Sequence, residues 1–136
     1  MLFRSQPDTP DILPAFPEGA PRNRLGLARW LLLADHPLTS RTTVNRFWQE
    51  VFGTGLVRSS ADLGVSGELP SHPELLDHLA NCLMRDGWSM KKLHRALVLS
   101  ATYRQDPANP VAEERDPENR LWAHVNRRKQ IGRAHV

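Results

Sequence analysis

The stretch from Thr39 to Val57, T-S-R-T-T-V-N-R-F-W-Q-E-V-F-G-T-G-L-V, limits the possible fold more than any other, because it joins an amphipathic helical pattern to a glycine stop. Val44, Phe47, Trp48, Val51 and Phe52 recur at i, i+3, i+4, i+7 and i+8, forming one apolar stripe with three large rings that must face a core. Gly53 and Gly55 are expected to end the helix, since only glycine takes the left-handed cap conformation without steric cost. The other apolar segments are read as packing on this helix or leading to it.

At 136 residues, with 40% hydrophobic and 24% charged residues, the chain has room for one core and an ordinary globular composition. No apolar run approaches the roughly 20 residues of a membrane helix; the longest compact one is Trp30 to Ala34. Cys82 is the single cysteine, which excludes an internal disulfide, a C-x-x-C redox pair and a C-x-x-C-H haem attachment within this sequence.

The two ends read as nucleotide sequence translated in frame. Ile131 to Val136 is what ATC GGA AGA GCA CAC GTC encodes, the start of a common sequencing-library adapter, and the reverse complement of that adapter, read GTG CTC TTC CGA TCT, gives Met1 to Ser5. Complementary ends from one oligonucleotide rarely arise by chance, so residues 6–129 are expected to be an internal piece of a longer gene, with Gln130 spanning the second junction. With Arg4 and Arg133 set aside, the 18 basic residues fall to 16 against 15 acidic, and the net charge falls from +3 to +1. The apparent basicity that would favour nucleic acid is then mostly an end effect.

Residues 1–22 are read as an adapter-derived start and a linker with prolines at 7, 10, 14, 17 and 21. A helical core is expected over 23–105. Asn23 caps a first helix running to about Leu33, with Gly26 marking close packing or a later start. Ser40 caps the central helix, and Leu38 staples its first turn. Residues 56–70 form a glycine-punctuated connection long enough to be a packed Ω-loop and a binding surface. Ser71, His72, Pro73 and Glu74 read as an S-x-x-E capping box, opening a helix that buries Leu75, Leu76, Leu79, Cys82 and Leu83 and stops at Gly87. Ser89 caps the second arm of an αα-hairpin, apolar at Met90, Leu93, Leu97 and Ala101 and reaching about Tyr103. Over 106–130 the pattern predicts a proline-containing loop, then a short helix capped by Asp116 with Pro117 in its first turn, bearing Leu121, Trp122 and Val125. Residues 131–136 are the adapter-derived tail.

Among residues that carry chemistry, His36, His72, His78, His94 and His124 form no metal signature. His78 and Cys82, four apart, present two ligands from one helix, but a site needs more, and the default for a cysteine on an apolar stripe is burial. A hydrolase joining Asp62 and His72 or His94 to Ser66 or Ser100 lacks the strand-turn-helix context of a nucleophile elbow. No phosphate-binding glycine motif is present. A helix-turn-helix reading of 75–103 rests on Lys91, Lys92, His94 and Arg95, and the near-neutral corrected charge argues against it. Arg41, Asn45 and Arg46 are placed away from the aromatic stripe, available to hold the long loop through Asp62 or Glu68 or to meet a partner domain.

The ordered motifs N-R-F-W-Q-x-x-F-G-x-G-L-V (Asn45 to Val57), D-L-G (Asp62 to Gly64), S-H-P-E-L-L-D (Ser71 to Asp77), G-W-S-M-K-K-L-H-R (Gly87 to Arg95) and S-A-T-Y-R-Q (Ser100 to Gln105) closely resemble the planctomycete PSD-one family, domain of unknown function 1553. D-P-E-N-R-L-W (Asp116 to Trp122), with Asn126, Arg127 and Arg128, extends the resemblance, which covers about Pro21 to Lys129. Leu63 and His78 depart from the pattern, where phenylalanine and tryptophan are more usual, and both are read as core or seam positions. The resemblance implies a large exported bacterial protein in which this domain follows another and often accompanies a cytochrome-c-like haem domain. It brings no established activity and no catalytic residues.

The sequence therefore predicts a mainly α domain fragment with an αα-hairpin, a long glycine-containing loop and an extended proline-rich arm. Its expected role is that of a structural or interaction module of an exported multidomain protein. The expected partners are neighbouring domains of the same chain, with no cofactor in this stretch and haem only in a neighbour. An extracellular enzyme acting on polysaccharide or a similar substrate is the alternative, and a cleft lined by Asn45, Arg46, Asp62, His72, His94 and Arg104 would favour it. An exposed patch built from Trp30, Trp88 or Trp122 would favour the interaction role. Nucleic-acid binding stands third.

Overall fold

The computed structural model describes residues 8–62 and 64–126; the expected adapter segments, Leu63 and 127–130 lie outside these. Among the described residues the chain is mainly α, as the sequence predicts, and contains no strand. In order come α1 (Arg24–Leu31), α2 (Thr39–Phe52), α3 (Pro73–Arg85), α4 (Met90–Val98), a 3-10 turn (Thr102–Arg104) and α5 (Pro110–Arg115).

The stripe of α2 is the centre of the core. Val44, Trp48 and Phe52 are buried with Leu56, Val57, Leu76, Leu79, Leu83, Leu93, Leu97 and Trp122, and Phe47 and Val51 pack against them from the edge. Gly53 ends the helix at φ 92°, its N–H donating to the Gln49 carbonyl at 2.7 Å. Gly55 does not share in that stop. A Cβ there would lie 2.8 Å from the Asn45 amide, so glycine is needed for close approach of the chain to α2.

Asn45 is buried rather than turned outward. It stands three and seven residues before Trp48 and Phe52, on the inward side of the helix. Its Nδ2 donates to the Val57 carbonyl at 2.9 Å, and its Oδ1 accepts from the Val57 N–H at 2.8 Å. The chain beyond the glycines is thereby tied back onto α2. The following Ω-loop closes where the Ser71 N–H donates to the Leu56 carbonyl at 2.8 Å. Inside it, the Ser59 hydroxyl donates to the Asp62 carbonyl and accepts from the Glu68 N–H.

Three expected caps do not form. Ser40 is buried inside α2, and Leu38 holds the cap position without a side-chain bond. The S-x-x-E capping box does not form. Pro73 takes the first helical position, which makes His72 the cap residue, while Ser71 is held by its backbone bond to Leu56 and its hydroxyl lies 3.0 Å from His72 Nδ1. Asp116 caps no helix, because its carboxylate accepts from the N–H groups of Arg120 at 2.9 Å and Leu121 at 2.6 Å in a tight turn. The short helix lies earlier, in the predicted loop, where Asn109 accepts from the Ala112 N–H and Pro110 fits the first turn. Positive φ at Asn119 and Trp122 breaks any helix over 116–125.

Other expectations match. Asn23 caps α1 by accepting from Leu25 and Gly26, although the helix stops at Leu31. Gly26 is where the arm comes closest, since a Cβ there would run into the Pro21 carbonyl and the Phe16 ring. The αα-hairpin is made by a Schellman ending. The Trp88 N–H donates to the Leu83 carbonyl and the Gly87 N–H to the Met84 carbonyl, with Gly87 at φ 67°. Ser89 then caps α4, which ends at Val98, short of Tyr103. Cys82 is only half-buried, at the edge of the α3 stripe rather than within it.

Asn45→Ala leaves the N–H and C=O of Val57 buried without partners. The expected loss is about 3 kcal/mol of unfolding free energy, read from the urea midpoint at unchanged m-value. A loss below about 0.5 kcal/mol would show that burial of Leu56 and Val57, and not the amide, fixes the loop root.

Candidate functional site

The six polar residues singled out from the sequence are spread over four elements and the Ω-loop, each with local surroundings of its own. Asn45 is used by the Val57 backbone. Arg46 lies on the exposed side of α2. Asp62 accepts from the Gly64 N–H at 2.9 Å within the Ω-loop. His72 occupies the start of α3. His94 meets the Phe47 ring edge to face at 4.8 Å. Arg104, in the 3-10 turn, reaches the Ser100 carbonyl at 3.5 Å. None of the six lines either cleft described below. Ser100, a candidate nucleophile, is committed to the end of α4, donating to the Leu97 carbonyl at 2.6 Å and accepting from the Tyr103 N–H.

His78 and Cys82 do meet. Nε2 lies 3.6 Å from Sγ, with an Arg85 guanidinium nitrogen 3.4 Å from the same sulfur. No group of three or more His, Cys, Asp or Glu side chains comes together among the described residues. Arg41 bridges to Asp77 on α3 at 2.6 Å, and not to Asp62 or Glu68 as the sequence suggested.

Apart from a mostly apolar cleft between α2, the Ω-loop and the start of α3, two clefts are built from several elements. One, of about 210 Å³, lies between the root of the Ω-loop and the turn over 119–122, with Arg58, Glu68, Leu69, Asn119, Arg120 and Trp122 in its walls. Glu118 beside it receives Arg58 and Arg120, each at 2.9 Å. Hydrogen bonds from Arg120, then Arg58, hold the Glu118 carboxyl below its usual range. The Leu121 N–H, with help from the Arg120 N–H and the nearby His124 and Arg58, does the same for Asp116. Asn119 is buried here, its Nδ2 donating to the His124 carbonyl at 2.7 Å.

The other cleft, of about 240 Å³, lies between the turn over 34–37 and α3, lined by His36, Ser40, Arg41, Asp77 and Asn81 among others. His36 and Ser40, both on its walls, were missed as site residues. In the sequence one reads as a turn residue and the other as a helix cap, and no local pattern announces that α3 closes over them.

Fold and clefts together define a small helical module held by backbone clamps, with no assembled catalytic constellation among the described residues. The chain belongs to the PSD1 family, proteins of unknown function (DUF1553), whose profile matches residues 23–132. No curated protein and no solved structure matches it.

The lowered carboxyls give a pH prediction. A group whose folded pKa is depressed adds stability that is present above its ordinary value and lost as pH falls through the folded one. The Asp116–Asn126 segment is therefore expected to loosen only below about pH 4, seen as loss of the amide shifts of Arg120 and Leu121. Asp116→Asn with Glu118→Gln should flatten that profile. An unchanged profile in the double variant would mean other groups set the acid response.

Proposed function

We propose that this chain is a structural and interaction module of a larger exported bacterial protein, docked through α1 against a neighbouring domain of the same polypeptide. The observation that carries the reading is the distribution of apolar surface on α1. Trp30 turns inward, 5% exposed, with its indole N–H donating to the Pro14 carbonyl at 2.8 Å. Leu25 and Leu32 are 53% and 52% exposed, and Leu27 and Leu31 are exposed beside them. Covering the exposed half of these four leucines is worth about 1 kcal/mol each, enough to hold an intramolecular seam.

The tryptophans expected to supply such a patch do not. Trp30 and Trp122 are core residues, and Trp88 is partly buried against the core cluster. Leucine on a short helix takes that place. Among the described residues no helix is long and apolar enough to cross a membrane. Export, planctomycete origin and the company of a cytochrome-c-like domain rest on the family resemblance.

The test compares the 136-residue chain with the product of the complete gene. Amides of α1 are expected to exchange at least about tenfold more slowly in the complete product. Leu25→Ser with Leu32→Ser should lower its melting temperature by several degrees while leaving that of the 136-residue chain unchanged. Equal exchange of α1 in both proteins would remove the reading.

A further inference from the structure

The cleft between the 34–37 turn and α3 contains two buried polar side chains, of which His36 is not fully satisfied. His36 is 4% exposed and Ser40 is 3% exposed. His36 Nδ1 lies 3.1 Å from the Thr39 hydroxyl, while Nε2 has no hydrogen-bond partner among the described residues. The Ser40 hydroxyl stands beside it on the cleft wall. Leaving such a group unmatched is unfavourable, so a bound polar group at this position stabilises the site.

The chemistry of the walls selects the ligand class. Arg41 and Asp77 neutralise each other across the cleft at 2.6 Å, which leaves Asp35 as the one lining charge without a counter-charge among the described residues. An anion therefore meets no free cation. A cation meets a single exposed carboxylate that water screens. Asn81 stands one helical turn after Asp77 and offers both donor and acceptor, as Ser40 does. Nε2 is a donor in one His36 tautomer and an acceptor in the other, and a hydroxyl answers both where a carboxylate only accepts and an ammonium only donates. The volume of about 240 Å³ is just below the range of drug-sized pockets and suits one ring.

We propose that this cleft binds a neutral polyhydroxylated ligand of monosaccharide size, held by His36, Ser40 and Asn81 against the Arg41–Asp77 pair. The proposal does not depend on the docking role of α1.

The experiment titrates isotopically labelled protein with D-glucose, D-galactose, D-mannose and myo-inositol, with inorganic phosphate and methylamine as charged comparators, following the His36 ring nitrogens and the Asn81 side-chain amide. At least one polyol is expected to give a saturable shift at both, with millimolar affinity. Asn81→Ala, at an exposed position on α3, should weaken that binding about tenfold and leave the remaining spectrum unchanged. No saturable shift from any polyol up to about 100 mM would overturn the proposal and assign the orphan nitrogen to an ordered water. A stronger response to phosphate or methylamine would also overturn it.

Discussion

Two hydrogen bonds between the Asn45 amide and the Val57 backbone, at 2.9 and 2.8 Å, set the position of everything after α2. A helix that ends in Gly53 leaves the next residues free to depart in many directions, and a side chain offering one donor and one acceptor fixes one of them. The Asn45 side chain pairs with residue 57 much as a neighbouring strand would. Leu56 and Val57 are thereby placed in the core, and the Leu56 carbonyl is presented to Ser71, which closes the Ω-loop and brings α3 to α2. The absence of a side chain at Gly55 follows from the same geometry, because any Cβ would occupy the space of that amide.

This explains which parts of the fold were legible in the sequence. The apolar faces of α2, α3 and α4 were readable because burial depends on periodicity, which a single chain displays in full. Caps were readable where only the local chain decides, as at Asn23 and Ser89. They were not readable where a distant backbone group claims the residue. Ser71 has the right neighbours for a capping box, yet its backbone is bonded to a residue fifteen positions earlier. Asp116 carries the pattern of a helix cap and instead knots a turn, since the later residues are drawn onto the end of α2 by Trp122.

The site was less legible than the fold for a related reason. Histidine, arginine, aspartate and asparagine attract notice as chemistry-bearing types, and six such residues were gathered from the sequence by type alone. The structure distributes them over four elements and the Ω-loop. The clefts are formed instead by residues whose local role looked mundane, a turn histidine and a helix-start serine, because a cleft depends on which elements face each other. Only the packing of α3 on α2, with the Arg41–Asp77 bridge across it, brings His36 and Asn81 to one cavity.

The C-terminal segment shows how magnitudes rank its contacts. Trp122 meets Trp48 edge to face at 5.3 Å and Phe52 at 5.7 Å, and its ring is buried. Burial of a ring this size outweighs solvent-exposed ion pairs, so Trp122 decides where the segment docks. The acidic turn has a different effect. Asp116 gathers two backbone N–H groups and Glu118 two guanidinium groups, while Asn126 reaches the Phe52 carbonyl at 3.5 Å. These contacts add little to affinity for the core but limit the directions in which Trp122 can approach it. The motif D-P-E-N-R-L-W thus combines one anchor with a polar frame that orients it, which is why the same polar residues read in isolation suggest a helix start.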